Sequence, residues 1–444
     1  MEKISINFDN ITGKIKPMHA VNNGPVKASS VEQSRGNFEE FKAAGIPYAR
    51  NHDASFCASY GGEHTVDVNA IFTDFTKNPY DPDSYDFALT DDYVKVINDA
   101  GTKVFYRLGT KIEHWRKKYW SVVPADFHKW AVVCEHIIRH YTLGWANGFN
   151  YDIEYWEIWN EPDGIKPDGD QPNWSGTPEQ FYELYNIASR HLKKCFPNLK
   201  IGGPALSWIK HEEWLDRFLA SLSSDGDRAP LDFFSWHSYQ EDPEKIIKAS
   251  EFVRKKLDDA GYKETESILN EWNYLENWTD KFVSTIKAII GMRGAAFTGA
   301  VMLAGQKSTI DMLMYYDARV ATVFNGLFDF YTLKPLKGYY PFYMFSRLYD
   351  IKSEAESRSS SKDIYVAAAS DGKRKAAMIT YFSPKESAAE KEITVDLGKG
   401  NDGEWLIETL DAEKTMEKQT VSVTENRLTL KMNPESVIFI SKRG

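Results

Sequence analysis

The chain has 444 residues, 42% apolar and 14% aromatic, enough to bury a large core and too apolar for global disorder. A formal charge of −10, from 54 basic and 64 acidic side chains with no long basic block, excludes a phosphate-tracking surface. Cys57, Cys134 and Cys195 stand far apart with no CxxC, so they read as core or near-core thiols, not as a disulfide framework or a zinc site.

The opening MEKISINFDN holds a strand-like KISINF and no apolar stretch of the kind a secretory leader carries. Periplasmic, secreted and cytoplasmic locations all stay open. No apolar run approaches the roughly 20 residues of a membrane span, so a soluble chain without a membrane partner is expected. From residue 15 to residue 348, short apolar segments that end in polar side chains alternate with helical patterns. The segments are KIKPMHAVNNG (14–24), IPYARNHD (46–53), KVFYRLG (103–109), IEYWEIWNEP (153–162), LKIGGPA (199–205), LDFFSWHSY (231–239), ESILNEW (266–272) and GAVMLAG (299–305). Among the helices, TPEQFYELYNIASRHLKKCF opens on a capping-box signal at Thr177 and Gln180 and gathers Phe181, Leu184, Tyr185, Ala188 and Leu192 on one face. PADFHKWAVVCEHIIRHY repeats that periodicity. Eight such strand–helix units predict an α/β fold, a (β/α)8 TIM barrel. Beyond residue 348 the texture changes to short strands divided by Gly, Asp, Asn and Lys, including DIYVAAAS, KAAMITYFS, KEITVDLG and SVIFISK. They predict an accessory antiparallel β-sandwich built from residues 349–444 and joined by residues 1–14.

In such a barrel the C-terminal ends of the strands surround the active site. Glu161 falls at the end of the fourth segment, inside WNEP, and Glu271 at the end of the seventh, inside LNEW. An apolar run driven straight into a carboxylate raises the free energy unless the acid has a use, because burying an unpartnered carboxylate costs several kcal/mol. Two acids across one pocket suit glycoside hydrolysis, in which one protonates the leaving oxygen while the other attacks the anomeric carbon or activates water. The high aromatic content fits the same reading, since flat rings stack on sugars, although most Trp side chains in any protein are simply buried. No HExxH, P-loop, GxGxxG or cluster of His and Cys is present, so neither metal nor organic cofactor is expected.

With WNEP followed by SILNEWN, the barrel region resembles the clan A glycoside hydrolases. Its details are most similar to glycoside hydrolase family 39, which includes β-xylosidases and α-L-iduronidases. HAVNNGP (19–25) resembles the first-strand segment, RNHDASF (50–56) the second-strand Arg-x-His, DFFSWHSY (232–239) the sixth-strand His-x-Tyr, and EWN (271–273) the nucleophile motif. GLFDFYTLKPLKGYYPFYMF resembles the closing segment into the last helix. The resemblance implies that Glu161 is the general acid/base and Glu271 the nucleophile of a retaining mechanism. It further implies that Asn160 bonds the sugar 2-hydroxyl, that Tyr239 donates to Glu271, that Arg50 orients an acid, and that His52 and His237 line the sugar subsite. Asp53 stands beside His52 where the family commonly has Gly, and is a further candidate for substrate binding. The third-strand stretch Arg107-Leu108-Gly109-Thr110-Lys111-Ile112 departs from the Glu-Leu-Gly-Phe-Met-Pro of the family's β-xylosidases, losing an acid and an aromatic platform. Trp115, Trp120 and Trp174 in nearby loops are candidates to replace that platform, and Tyr316 and Asp317 to meet polar substrate groups. A uronic acid would need a cation near its carboxylate, and Arg107, Lys111 and Lys307 are candidates to supply it. The expected partner is an oligosaccharide or glycoside, β-xyloside-like or a related plant or host glycan, with no nucleic acid; an oligomer is left open. The alternative is a carbohydrate-binding protein on a catalytically decayed scaffold.

Overall fold

The computed structural model describes residues 2–28, 35–52, 66–223, 227–320, 322–385 and 388–442; Asp53 and Cys57 lie outside them. The first strand, β1 (Glu2–Lys14), precedes the barrel. Eight strands then close a parallel barrel in chain order: β2 (Ala20–Asn22), β3 (Tyr48–Arg50), β4 (Lys103–Leu108), β5 (Tyr155–Ile158), β6 (Lys200–Leu206), β7 (Phe233–Gln240), β8 (Glu266–Tyr274) and β9 (Met312–Tyr315). The described helices around them are α1 (Phe38–Ala43), α2 (Val68–Ile71), α3 (Ala88–Asp99), α4 (Phe127–Leu143), α5 (Pro178–Cys195), α6 (Glu212–Ser221), α7 (Pro243–Asp259), α8 (Phe282–Ile289), α9 (Met292–Gln306) and α10 (Tyr339–Ile351). Helix α5 starts as its sequence predicts. The Thr177 hydroxyl accepts from the Gln180 N–H while the Gln180 side chain accepts from the Thr177 N–H.

One expected strand is a helix. GAVMLAG forms the second half of α9, and the eighth barrel strand is MLMY, at 312–315. A seven-residue apolar run does not distinguish a strand from a buried helix by periodicity. Small residues settle the matter here, because α9 is buried on nearly all sides between the barrel and the second sheet. A Cβ added at Gly299 would lie 2.7 Å from Oγ1 of Thr380 in that sheet, so the close approach requires glycine.

The second sheet comprises β1 with β10 (Ser353–Ser359), β11 (Ile364–Ser370), β12 (Lys375–Tyr381), β13 (Lys391–Asp396), β14 (Gly403–Leu410), β15 (Thr415–Val423), β16 (Arg427–Met432) and β17 (Ser436–Lys442). Its order is β15-β14-β17-β12-β11-β10-β1-β13-β16, antiparallel except for the parallel β1–β13 pair. Phe8 on β1 and Trp405 on β14 meet with ring centroids 5.7 Å apart, although four strands separate them in the sheet. The sheet therefore curls over its own core, and the two layers of the sandwich are one continuous hydrogen-bonded surface. Among the described residues, no single helix is long and apolar enough to cross a membrane.

Inside the barrel the period of two sorts side chains into layers. Ala20, Phe105, Tyr155, Phe233, Ile268, Met312 and Met314 form an apolar plug, while Trp156, Ile158, Trp236 and Leu269 point outward to the helices. Two residues further along β5, Glu157 enters the interior above that plug.

Away from the mouth, His19 is fully buried beside Phe345 and Tyr349, with its Nε2 3.1 Å from the Gly45 carbonyl. Burial pushes its pKa down to about 3, a loss only partly offset by that hydrogen bond. The folded state then refuses a proton that the unfolded chain accepts below about pH 6.5, so stability falls as pH drops from there toward 3. Replacing His19 by Leu is expected to flatten this acid limb by roughly 1.4 kcal/mol per pH unit. Urea unfolding of both proteins between pH 6 and 4 measures it, and equal slopes would refute the assignment.

Candidate active site

Arg50, at the end of β3, is the centre of the polar layer. Its guanidinium is wholly buried and its three nitrogens are all engaged: Nε donates to Glu157 (2.7 Å), Nη1 to Asn22 (3.1 Å) and Glu271 (2.8 Å), and Nη2 to Asn160 (2.7 Å). Burial opposes its charge, but Glu157 and Glu271 outweigh that and hold its pKa above the ordinary arginine value. The rest of the layer completes the bonding. Asn270 donates to Glu157 at 2.5 Å, and Asn22 donates to the Asn270 carbonyl at 2.7 Å. A planar five-donor fork is the group that can serve four acceptors in fixed directions.

Glu271 owes its position to a register shift. His237 pairs with Glu271 while Trp236 pairs with Leu269, so one extra residue is accommodated on β8 at Asn270. The irregularity breaks the alternation and lets consecutive residues work on one side: Asn270 reaches Glu157, and Glu271 reaches the mouth. The Glu271 side chain is buried to all but 7% and takes charge-assisted contacts from Arg50 on one oxygen, the Tyr239 hydroxyl on the other (3.0 Å), and His52 Nε2 (3.3 Å). These donors stabilise the ionised form.

Glu161 comes from the turn after β5. Trp159 is anchored by its N–H to Leu108 and its indole N–H to Asn173, and it packs edge-on against Trp174 at 5.1 Å. Both Trp159 and Glu161 have positive φ, +73° and +48°, a conformation that strains non-glycine residues by about 1–3 kcal/mol each. The Trp pair and the Glu161 N–H bond to the Ala205 carbonyl hold the strained turn in place. The Glu161 carboxylate is partly open, 21% exposed, and accepts from Asn173 (3.0 Å) and contacts His237 Nδ1 (2.8 Å). His237 also stands 3.4 Å from Glu271. Donor atoms of Glu161, His237 and Glu271 all lie within 4.8 Å of one another. His237 Nδ1 hydrogen-bonds Glu161 and stands between the two acids. Burial first, then Arg50, lower the pKa of His237 despite Glu271, and burial with Arg50 and Arg107 lowers that of His52 much further. Both rings are therefore neutral at pH 7.

The two carboxylates open into a cavity of about 1190 Å³. His52, His237, Tyr239 and Tyr316 line it; Asn160 is not in the wall, and its Nδ2 is buried and lacks a partner among the described residues. Trp115 and Trp120 are not in its wall. The third-strand loop turns Ile112 and His114 inward instead, Trp115 is exposed, and the Trp120 ring carries the Lys111 ammonium at 4.4 Å. Glu113 sets that loop, since one of its oxygens collects the N–H groups of Tyr119, Trp120 and Ser121 and the Ser121 hydroxyl. Trp174 is core. The cations expected near a uronic acid are used elsewhere: Arg107 binds Asp67 at 2.6 Å, and Lys307 bonds Ser357 beneath the second sheet. Asp317 is buried against Asn23 and the Arg319 N–H. Further aromatic surfaces in the wall are Trp208, Trp278 and Phe324, from loops whose reach only the folded chain defines. A second cluster, Glu135, His191 and Cys195, joins α4 to α5 on the barrel exterior, where Arg139 also holds Glu135.

A closed parallel barrel with two carboxylates at its mouth is an arrangement that suits glycoside hydrolysis. Residues 61–272, just under half of the chain, match glycosyl hydrolases family 39, so this stretch of the barrel is similar to that family. A β-xylosidase from Caldicellulosiruptor saccharolyticus is 26% identical over 287 residues, 58% of this chain and 53% of the relative. One from Geobacillus stearothermophilus is 30% identical over 131 residues, 27% and 23% of the two chains. The chain thus spans about half the length of the first relative and about a quarter of the second. Among solved structures, a glucosidase from Croceicoccus marinus superposes with a TM-score of 0.78 at 22% identity, covering 99% of this chain and 98% of that one. A monomeric β-xylosidase from Caulobacter crescentus gives 0.72 at 16% identity, with 99% of each covered.

Proposed function

We propose that this protein is a retaining glycosidase that cleaves a β-xyloside-like substrate through a covalent glycosyl-enzyme. The observation that carries this reading is the proximity of Glu161 and Glu271 across one cavity, donor atoms within 4.8 Å. Retention needs carboxyls about 5–5.5 Å apart, whereas inversion needs about 6.5–9.5 Å to admit a water between them. Glu271, held ionised by Arg50 and Tyr239, attacks the anomeric carbon. Glu161, partly exposed and bonded to neutral donors, gives its proton to the departing oxygen and later takes one from water. Asn160, whose amide oxygen is fixed by Arg50, offers its Nδ2–H to the 2-hydroxyl of the bound sugar. The β-xyloside preference is drawn from the relatives.

The Glu161→Ala variant tests the proton donor. For a glycoside with a poor leaving group, kcat/KM should fall by roughly 10²–10⁴, and the basic limb of the pH profile should vanish. For an activated aryl glycoside the loss should be much smaller. A basic limb identical to wild type would remove Glu161 from the role. Retention itself is read by NMR from the anomer first released.

A further inference from the structure

The cavity wall next to Glu161 is basic, although the chain as a whole is acidic. One stripe of α7 faces the cavity, Lys245, Lys248, Ala249 and Phe252, at the three- and four-residue spacing of a single helix face. The loop after β6 adds the exposed Trp208 together with Lys210. Both α7 lysines sit in its first two turns, where the helix dipole is already positive, so their placement opposes helix stability and concentrates positive potential. Lys245 is paired with Glu241, and Glu212 on the same wall with Lys256. Among the described residues, neither Lys210 nor Lys248 makes an ion pair.

This wall is built onto the proposed proton donor. Two residues past Glu161, Asp163 accepts from the Ser207 N–H and hydroxyl and the Trp208 N–H, and lies 3.3 Å from His211 Nδ1. Glu161 itself donates its N–H to Ala205. The segment that leads to Trp208 and Lys210 is bonded to the turn that carries the acid, so the wall lies on the leaving-group side. Tyr239, Tyr316, Phe324 and Trp278 gather near Glu271 on the other side.

We infer that this wall is a subsite for an anionic leaving group: the departing part of the substrate carries a carboxylate or sulfate met by Lys210 and Lys248, with its flat face on Trp208. The inference rests on the glycosidase reading of Glu161 and Glu271.

The test uses β-xylosides of 4-hydroxybenzoate, 4-hydroxybenzenesulfonate and the neutral 4-hydroxybenzamide, each also made as an uncleavable S-glycoside. The readout is the ratio of kcat/KM for a charged over the neutral leaving group, a quantity from which any loss of folded enzyme cancels. In wild type the ratio should exceed that of the double variant Lys210→Ala/Lys248→Ala by about fivefold, since each partly exposed ion pair contributes only modestly. It should recover in Lys210→Arg/Lys248→Arg and shrink as salt is raised. Carboxylate and sulfonate distinguish the two anions, and preference for either supports the subsite. If no xyloside turns over, the glycosidase reading or its sugar fails, and the same charged-to-neutral ratio is then taken from S-glycoside affinities. Equal ratios in wild type and double variant, or no binding of any probe, would overturn the inference.

Discussion

Replacing Glu271 by Gln is expected to lower kcat by roughly 10⁴-fold or more, about 5.5 kcal/mol of barrier. The change keeps the side chain's size and leaves Arg50, Tyr239 and His52 in place around it, so loss of activity reports chemistry, not packing. A neutral amide neither attacks the anomeric carbon nor stabilises the positive charge that develops on the sugar. It also turns an NH₂ group or a weaker acceptor toward the Arg50 guanidinium. In wild type, a 2-fluoro glycoside that slows the second displacement should label the peptide bearing Glu271, read by mass spectrometry. A label on another residue, or a variant within tenfold of wild-type activity, would remove Glu271 from the nucleophile's role; tenfold is about 1.4 kcal/mol.

Arg50→Met should be the most damaging change to both folding and activity. Among the described residues it removes the charged partner of Glu157, whose other hydrogen-bond partner is the neutral amide of Asn270. Breaking a buried ion pair from one side costs about 3–5 kcal/mol, because the remaining charge is left in a low-dielectric interior. Glu271 and Asn160 lose their orienting donor at the same time. The double variant Arg50→Met/Glu157→Gln separates the two effects. Thermal unfolding should show most of the lost stability restored, whereas kcat should stay near that of Arg50→Met. If activity returned along with stability, Arg50 would be a folding residue without a positioning role.

The carboxylates and several of their neighbours were legible in the sequence because local pattern carried them. Short apolar segments ending in WNEP and LNEW mark strand ends, and a parallel barrel gathers strand ends at one mouth. The His-x-Tyr on β7 was legible for the same reason, since residues two apart share a face. Glu157 was hidden in plain view. It shares the inward parity of Tyr155, but an acid within a strand has no meaning until the residue across the barrel is known to be Arg50. The eighth strand was misplaced because an apolar Gly/Ala run reads alike as a strand and as a helix buried on every side.

The sequence by itself determined the alternation of elements, the acids at the ends of the fourth and seventh barrel strands, and the cap that starts α5. These depend on propensity and spacing along the chain. Tertiary structure alone decided that Asn270 and Glu271 both serve the site, through a register irregularity in β8. It also decided that the cavity wall takes Trp208, Trp278 and three lysines in place of Trp115 and Trp120. Loop side chains and sheet register are fixed by contacts between residues distant in the chain. Those contacts minimise buried unpaired charge and empty space, and neither quantity exists until the barrel has closed.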